Sequence, residues 1–290
     1  MKSSIFNLIF TVFLLWLTIQ IPSNYEVYLA YCFVLTIGIL HGANDIALIG
    51  LITSKTNKVK HKYLFLYVGL IGATTIAFIM FPLLALLIFI GFSCYHFGEQ
   101  HFFNFVKKSS LKSKLLFFSY GSLIFGLLFF LNSGHTSIII EELTGLQVIE
   151  NHYLIFLLFG IVATIVSVYL NSNNFKSGLD YFQEFFLILL FATIFKLASL
   201  LWALAIFFVV WHSIPSLKDQ VDALYGGLNQ SSFSKYLKSS LLNWIISLLG
   251  LFVVYLISMY MKVSFISLFF AFLAAITIPH VIVMFHLNKK

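Results

Sequence analysis

Arginine is absent from this chain, and all 17 basic residues are lysine. No guanidinium fork is therefore available for bidentate grips on phosphate or carboxylate, which argues against sites built on that geometry. Cysteine occurs only at Cys32 and Cys94, both inside apolar runs. Two such residues read as small buried hydrophobes and exclude a disulfide framework or a cysteine zinc site. Charge is scarce as well: 9% of residues are charged, where soluble domains carry about 25%. What fills the space is apolar. Of 290 residues, 61% are hydrophobic, 35 are phenylalanine, and the mean hydropathy is +1.01. Only an all-α polytopic membrane protein fits this composition, and the walls of any internal cavity are expected to be aromatic. The net charge of +7 does not indicate nucleic acid, because the lysines fall in short segments between apolar runs.

A bilayer core needs about 20 predominantly apolar residues per helix. Ten stretches qualify: 5–21, 27–52, 63–80, 83–106, 115–131, 153–170, 182–196, 198–215, 241–260 and 264–287. The first has the look of a signal peptide but lacks a small-residue cleavage site, and reads as a span. Pro82 separates the third and fourth. The seventh and eighth form one nearly continuous run marked only by Lys196 and Ser199. With the N-terminus inside, Lys2, Lys55, Lys58, Lys60, Lys62, Lys107, Lys108, Lys112, Lys114, Lys176, Lys218, Lys235, Lys238, Lys289 and Lys290 all fall inside, leaving Lys196 and Lys262 outside. The segment 132–152 carries Glu141, Glu142 and Glu150 and no lysine. This asymmetry follows the positive-inside rule. It predicts one integral domain over 1–290, a bundle of about ten spans (8–10), both termini cytoplasmic, and residence in the inner or plasma membrane. The segment 216–240, with Asp219, Asp222 and the pair Gly226-Gly227, reads as the other long polar loop.

Within this apolar chain, "GILHGANDIALIG" (38–50) places a histidine, an asparagine and an aspartate inside one span. An aspartate at a bilayer centre costs roughly 2.5–3.5 kcal/mol on insertion scales, so the folded protein must offset it. Of nine histidines, His61, His135, His152 and His286 sit in loops or at span ends. His41, His96, His212 and His280 are embedded in spans. The residue counts to the inner ends place His41, His96 and His280 roughly 10–17 Å deep at 1.5 Å per residue, and His212 lies near the inner end of its own span. Four imidazoles converging on the inner half of a membrane point to a shared metal site, since imidazole suits divalent iron, copper or zinc. Asp45 follows His41 by four residues and is placed to accept its ring N–H. Glu99 stands three residues after His96 in the same role. His101 lies about 140° around the helix from His96 and is not expected on the same ion. Gly42, Gly91 and Gly98 are placed to let helices approach closely. Phe92, Tyr95, Phe97, Phe208 and Trp211 neighbour the histidines and are the candidate lining of a substrate tunnel.

The histidine boxes of membrane di-iron enzymes (HxxxH, HxxHH), the haem motif CxxCH and the protease motif HExxH are all missing. Other segments do carry a resemblance. "LHGANDIALI" resembles the HGAxD segment of the Brp/Blh family of bacterial and archaeal β-carotene 15,15'-dioxygenases. "CYHFGEQH" is similar to that family's YHFGxxD segment, "WHSIPSLKDQ" to its WHxxRH segment, and "IPHVIV" to its late proline–histidine helix. The four occur in the family's order from residue 38 to 283. The resemblance implies an iron(II) enzyme that uses O2 to cleave β-carotene into two all-trans retinal molecules, with hand-off to a microbial rhodopsin and substrate entry from the lipid bilayer. It implies His41, His96 and His212 as ligands; His280 is the candidate for the fourth because its depth fits, and a three-histidine site with water is the alternative. The chain departs from the pattern at Ser216 and at His101, where the family has histidine and aspartate, at Pro215, and at Ile46. A competing reading is a proton- or metal-coupled transporter using His41, Asp45, His96 and Glu99 as a relay.

Overall fold

The computed structural model describes residues 2–53, 57–176, 179–260 and 263–287. Four lysines of the charge asymmetry, Lys55, Lys262, Lys289 and Lys290, lie outside the described residues. The described chain is helical: α1 (Lys2–Gln20), α2 (Ser23–Phe33), α3 (Asp45–Thr53), α4 (Asn57–Met80), α5 (Pro82–Phe102), α6 (Leu111–Leu131), α7 (Ser133–Thr144), α8 (Glu150–Leu170), α9 (Tyr181–Leu197), α10 (Leu200–Phe207), α11 (Ile214–Tyr225), α12 (Gln230–Ser258) and α13 (Phe265–Leu287). Among the described residues, seven helices are long and apolar enough to cross a membrane: His61–Met80, Pro82–Phe105, Leu111–Leu131, Glu150–Leu170, Leu200–Tyr225, Gln230–Ser258 and Phe265–Leu287. Their outward faces are oily, with Phe65 77% and Ile165 65% exposed. Such surfaces suit lipid and not water.

Several expected elements take a different form. The expected span 27–52 is not one helix. After α2 it widens into a π-helical turn, Val34–Gly38, and then tightens. Amides 42, 43 and 45 bond to carbonyls three residues back before α3 begins. The run 181–214 does divide near Ser199, giving α9 and α10, but the second helix continues through a π-helical segment, Phe208–Ser213, into α11. The segment 216–240 is not a loop. It is mostly helical, and the turn is confined to Gly226 and Gly227, whose φ angles of 76° and 140° favour glycine. The acidic segment 132–152 likewise contains a helix, α7.

The chain divides into two compact units. The first comprises Met1–Val34, Ser93–Ile138 and Gln147–Pro215. Its helices close on small residues. A Cβ at Gly98 would lie 1.8 Å from the Phe117 carbonyl oxygen, and one at Gly121 would lie 1.8 Å from the Cys94 carbonyl oxygen. Gly126 and Gly160 meet Leu157 and Leu123 in the same way and seat α6 on α8. The few polar residues of α1 mark its inner face. Trp202 Nε1 donates to Thr18 Oγ1 at 2.8 Å, and Trp211 Nε1 donates to Thr11 Oγ1 at 2.8 Å. Buried Glu26 on α2 accepts the Ser199 amide at 2.6 Å and so caps α10.

The second unit comprises Leu35–Phe92, Ile139–Leu146 and Ser216–Lys290. Here α13 packs on α3, α4 and α12. At its start, Glu142 accepts the Ser264 amide at 3.2 Å and the Ser267 hydroxyl at 2.6 Å. This places a carboxylate at the positive end of a helix. Gly91, by contrast, has no heavy atom within 4 Å of where a Cβ would stand, so the expected close approach there does not occur.

These contacts set two expectations. Gly98→Ala clashes with backbone that cannot yield, and should lower stability by about 1–3 kcal/mol or more, whereas Gly91→Ala should be neutral. Thermal midpoints in detergent compare the two. Burial raises the Glu142 carboxyl, but the Ser264 and Ser267 hydroxyls and the Ser264 amide outweigh it and hold the group below its ordinary value of 4.5. A depressed carboxyl stabilises the fold above pH 4.5, and that stabilisation fades as pH falls through the lower folded value. Glu142→Gln should flatten this part of the pH dependence of the thermal midpoint.

Candidate metal centre

In the second unit the turn at 41–44 carries the first histidine. The π-helical turn and the tight bonds after it end α2's register, so His41 projects from a break and not from a helix face. Its Nδ1 pairs with the Gly38 carbonyl. Asp45 opens α3, and its Oδ1 lies 2.8 Å from His280 Nδ1. The two side chains are 4% and 2% exposed. This corrects the expectation that Asp45 serves His41. The i, i+4 relation requires an unbroken helix, and the turn between the two residues removes it. The His41 and His280 rings meet edge to face, with centroids 4.9 Å apart and planes at 88°. A Cβ at Gly42 would stand 3.7 Å from His280 Nδ1, an ordinary van der Waals contact, so this approach does not require glycine. His280 directly follows Pro279 inside α13. Proline has no amide N–H, which opens the helix ladder next to the ring.

A polar net ties the turn to α12. Asn44 Nδ2 donates to the Tyr236 carbonyl at 3.1 Å, and Asn243 Nδ2 donates to the Ala43 carbonyl at 2.8 Å. The Tyr236 hydroxyl lies 3.3 Å from the His41 carbonyl oxygen and 2.9 Å from Gln220 Oε1. Gln220 Nε2 in turn donates to Ser216 Oγ at 3.1 Å. Ser216, where the motif resemblance leads one to expect histidine, therefore belongs to the hydrogen-bonded scaffold behind His41. Ile46 lies half-buried on α3.

In the first unit, His96 of α5 and His212 of the π-helical segment form the second pair. Their centroids are 4.7 Å apart at 72°, and the residues are 1% and 2% exposed. A π-helical turn inserts an extra residue into the helix and commonly marks functional positions, because it re-aims the side chains around it. Phe97 lies 4.6 Å from the His212 ring, and Phe208 stacks on it at 5.5 Å and 21°. Tyr95 donates its hydroxyl to Glu99 at 3.0 Å and packs its ring on Phe117. Trp211 is turned to Thr11 and Phe191. Phe92 lies in the second unit and is 39% exposed. His101 pairs with Glu184 of α9 at 2.7 Å and stacks on Tyr120 at 4.7 Å and 13°. His61, His135, His152 and His286 are exposed, as their sequence positions suggested.

Buried imidazoles of this kind could hold a divalent metal. Asp45 on His280 Nδ1 and the Gly38 carbonyl on His41 Nδ1 are the outer hydrogen bonds that metal-bound histidines ordinarily make. A metal on either ring would bind through Nε2. The donor set thus fits a divalent transition metal. Sequence reading missed Tyr67, whose hydroxyl donates to Asp45 Oδ2 at 2.8 Å. It also missed Tyr236 and Asn243. Nothing near these residues distinguishes them from the many aromatic and polar residues of their spans.

No curated protein and no solved structure matches the chain. The model of one family, described as β-carotene 15,15'-dioxygenase, matches residues 32–288. That range takes in both histidine pairs, Asp45 and the turn that carries His41. With nearly its whole length matched, the chain belongs to the β-carotene 15,15'-dioxygenase family.

Proposed function

We propose that this family member cleaves β-carotene at the central 15,15' double bond with O2, giving two molecules of all-trans retinal. His41, His96, His212 and His280 are the proposed ligands of an iron(II) ion. The observation that carries the reading is the burial of these four imidazoles in two ring-to-ring pairs in a chain of this family. Iron(II), when bound, supplies the means to bring triplet O2 into reaction with a closed-shell polyene.

The chain's own residues do the rest. Neutral imidazoles add no negative charge, so the ion keeps its full charge. Asp45 and the Gly38 carbonyl set the rotation of two of the rings before the ion arrives. Phe97 and Phe208, packed on His212, offer a polyene flat apolar faces and exclude water from the reacting bond. Tyr95 is the neighbouring aromatic with a polar tip, committed to Glu99. The substrate is dissolved in lipid, so entry is lateral from the bilayer of the inner or plasma membrane. The aldehyde product leaves the same way, for example to a microbial rhodopsin. Both oxygen atoms of O2 end in product, one on each carbon of the broken double bond.

Expression in β-carotene-producing cells should bleach the colour and yield retinal, with close to one iron per chain in the purified protein. His96→Ala and His280→Ala should each lose bound iron and lower cleavage by about 100-fold or more, at or beyond the top of the roughly 10–100-fold range for outer-shell partners. Persistent colour with inserted, iron-loaded protein rejects the reading. Flux driven by a pH gradient, without iron, supports the transport alternative built on His41, Asp45, His96 and Glu99.

A further inference from the structure

The Asp45–His280 pair has a third member, on a helix that none of the site motifs includes. Tyr67 of α4 donates its hydroxyl to Asp45 Oδ2 at 2.8 Å, while Oδ1 engages His280 Nδ1 at 2.8 Å. The terminal torsion of an aspartate is soft and broadly two-fold. One donor on one oxygen leaves the carboxylate plane able to swing, and the imidazole swings with it. A second donor on the other oxygen, from a different helix, stops that motion. The partly buried Tyr67 packs against a cluster that Leu48 and Ile49 of α3 form with Val283 and Met284 of α13. Those residues lie about one helical turn beyond Asp45 and His280, and α4 contacts both helices that carry the pair.

We infer that Tyr67 is a positioning residue for the metal centre, acting through Asp45 to fix the plane and the Nδ1–H tautomer of His280. The inference rests on the proposed metal site and extends it outward by one shell. With Nδ1 of His280 paired to Asp45 Oδ1 and the Tyr67 hydroxyl on Oδ2, Nε2 is the His280 nitrogen placed to coordinate. The buried carboxylate is thereby paired on both oxygens, which offsets the cost of its desolvation.

The test uses the full-length protein in detergent, with Co(II) as a spectroscopic probe. Dissociation constants and ligand-field spectra are measured for the wild type, Tyr67→Phe, Asp45→Asn and the double variant. Tyr67→Phe should weaken Co(II) binding about 10-fold, the low end for outer-shell partners, and shift the ligand-field bands. Asp45→Asn should weaken it at least as much. The double variant should bind no worse than Asp45→Asn alone, because the tyrosine acts through the carboxylate. Thermal midpoints of the metal-free proteins separate folding from binding, and Tyr67→Met repeats the measurement should the phenylalanine variant fail to fold. Wild-type affinity in Tyr67→Phe, or full additivity in the double variant, overturns the inference and leaves the metal site standing. A wild type that takes up no Co(II) overturns both.

Discussion

A carboxylate in hydrocarbon must be partnered or it does not stay charged, and Asp45 is where this chain meets that constraint. Removing one partner from a buried pair typically costs about 3–5 kcal/mol, so the elements around Asp45 are bound to its geometry. The carboxylate draws a histidine from α13 and a tyrosine from α4. It opens α3, where an acid in the first turn also meets the helix dipole. The break before it, at 41–44, exposes backbone groups that α12 satisfies through Asn243 and Tyr236. Four helices of the second unit thus share one polar cluster in an otherwise apolar interior.

The same economy of polar groups shapes the first unit. With lipid outside, burying apolar surface gives little preference for one helix pairing over another, so close packing and single hydrogen bonds decide. Gly98 and Gly121 let backbones touch. Thr11 and Thr18 each take one tryptophan N–H, and Glu26 caps one helix. Against this frame the π-helical turn at Phe208–Ser213 sets His212 beside His96, with the Phe97 and Phe208 rings packed on it.

Replacements relative to the family pattern are absorbed locally. Ser216 has become part of the hydrogen-bonded support behind the His41 turn. His101 stacks on Tyr120 and takes its carboxylate from Glu184, far away in sequence. Ser216 Oγ and His101 Nε2 are each hydrogen-bonded. The metal-site reading therefore rests on the two histidine pairs and does not need those positions as ligands.

What the sequence by itself determined is the class of the protein, its family, where most of the apolar helices run, and which histidines are buried. These follow from hydropathy summed over some twenty residues and from short motifs, both of which belong to the chain before it folds. The division near Ser199 was legible for the same reason, whereas 216–240 reads as a polar loop and is mostly helical. What only the tertiary structure decided is the rotational phase of each helix. One inserted residue turns everything after it by about 100°, so the π-helical turns and the break at 41–44 reassign neighbours that a regular helix would predict. Asp45 consequently meets His280 and not His41, and Tyr67, silent among the aromatics of its span, becomes the group that holds it.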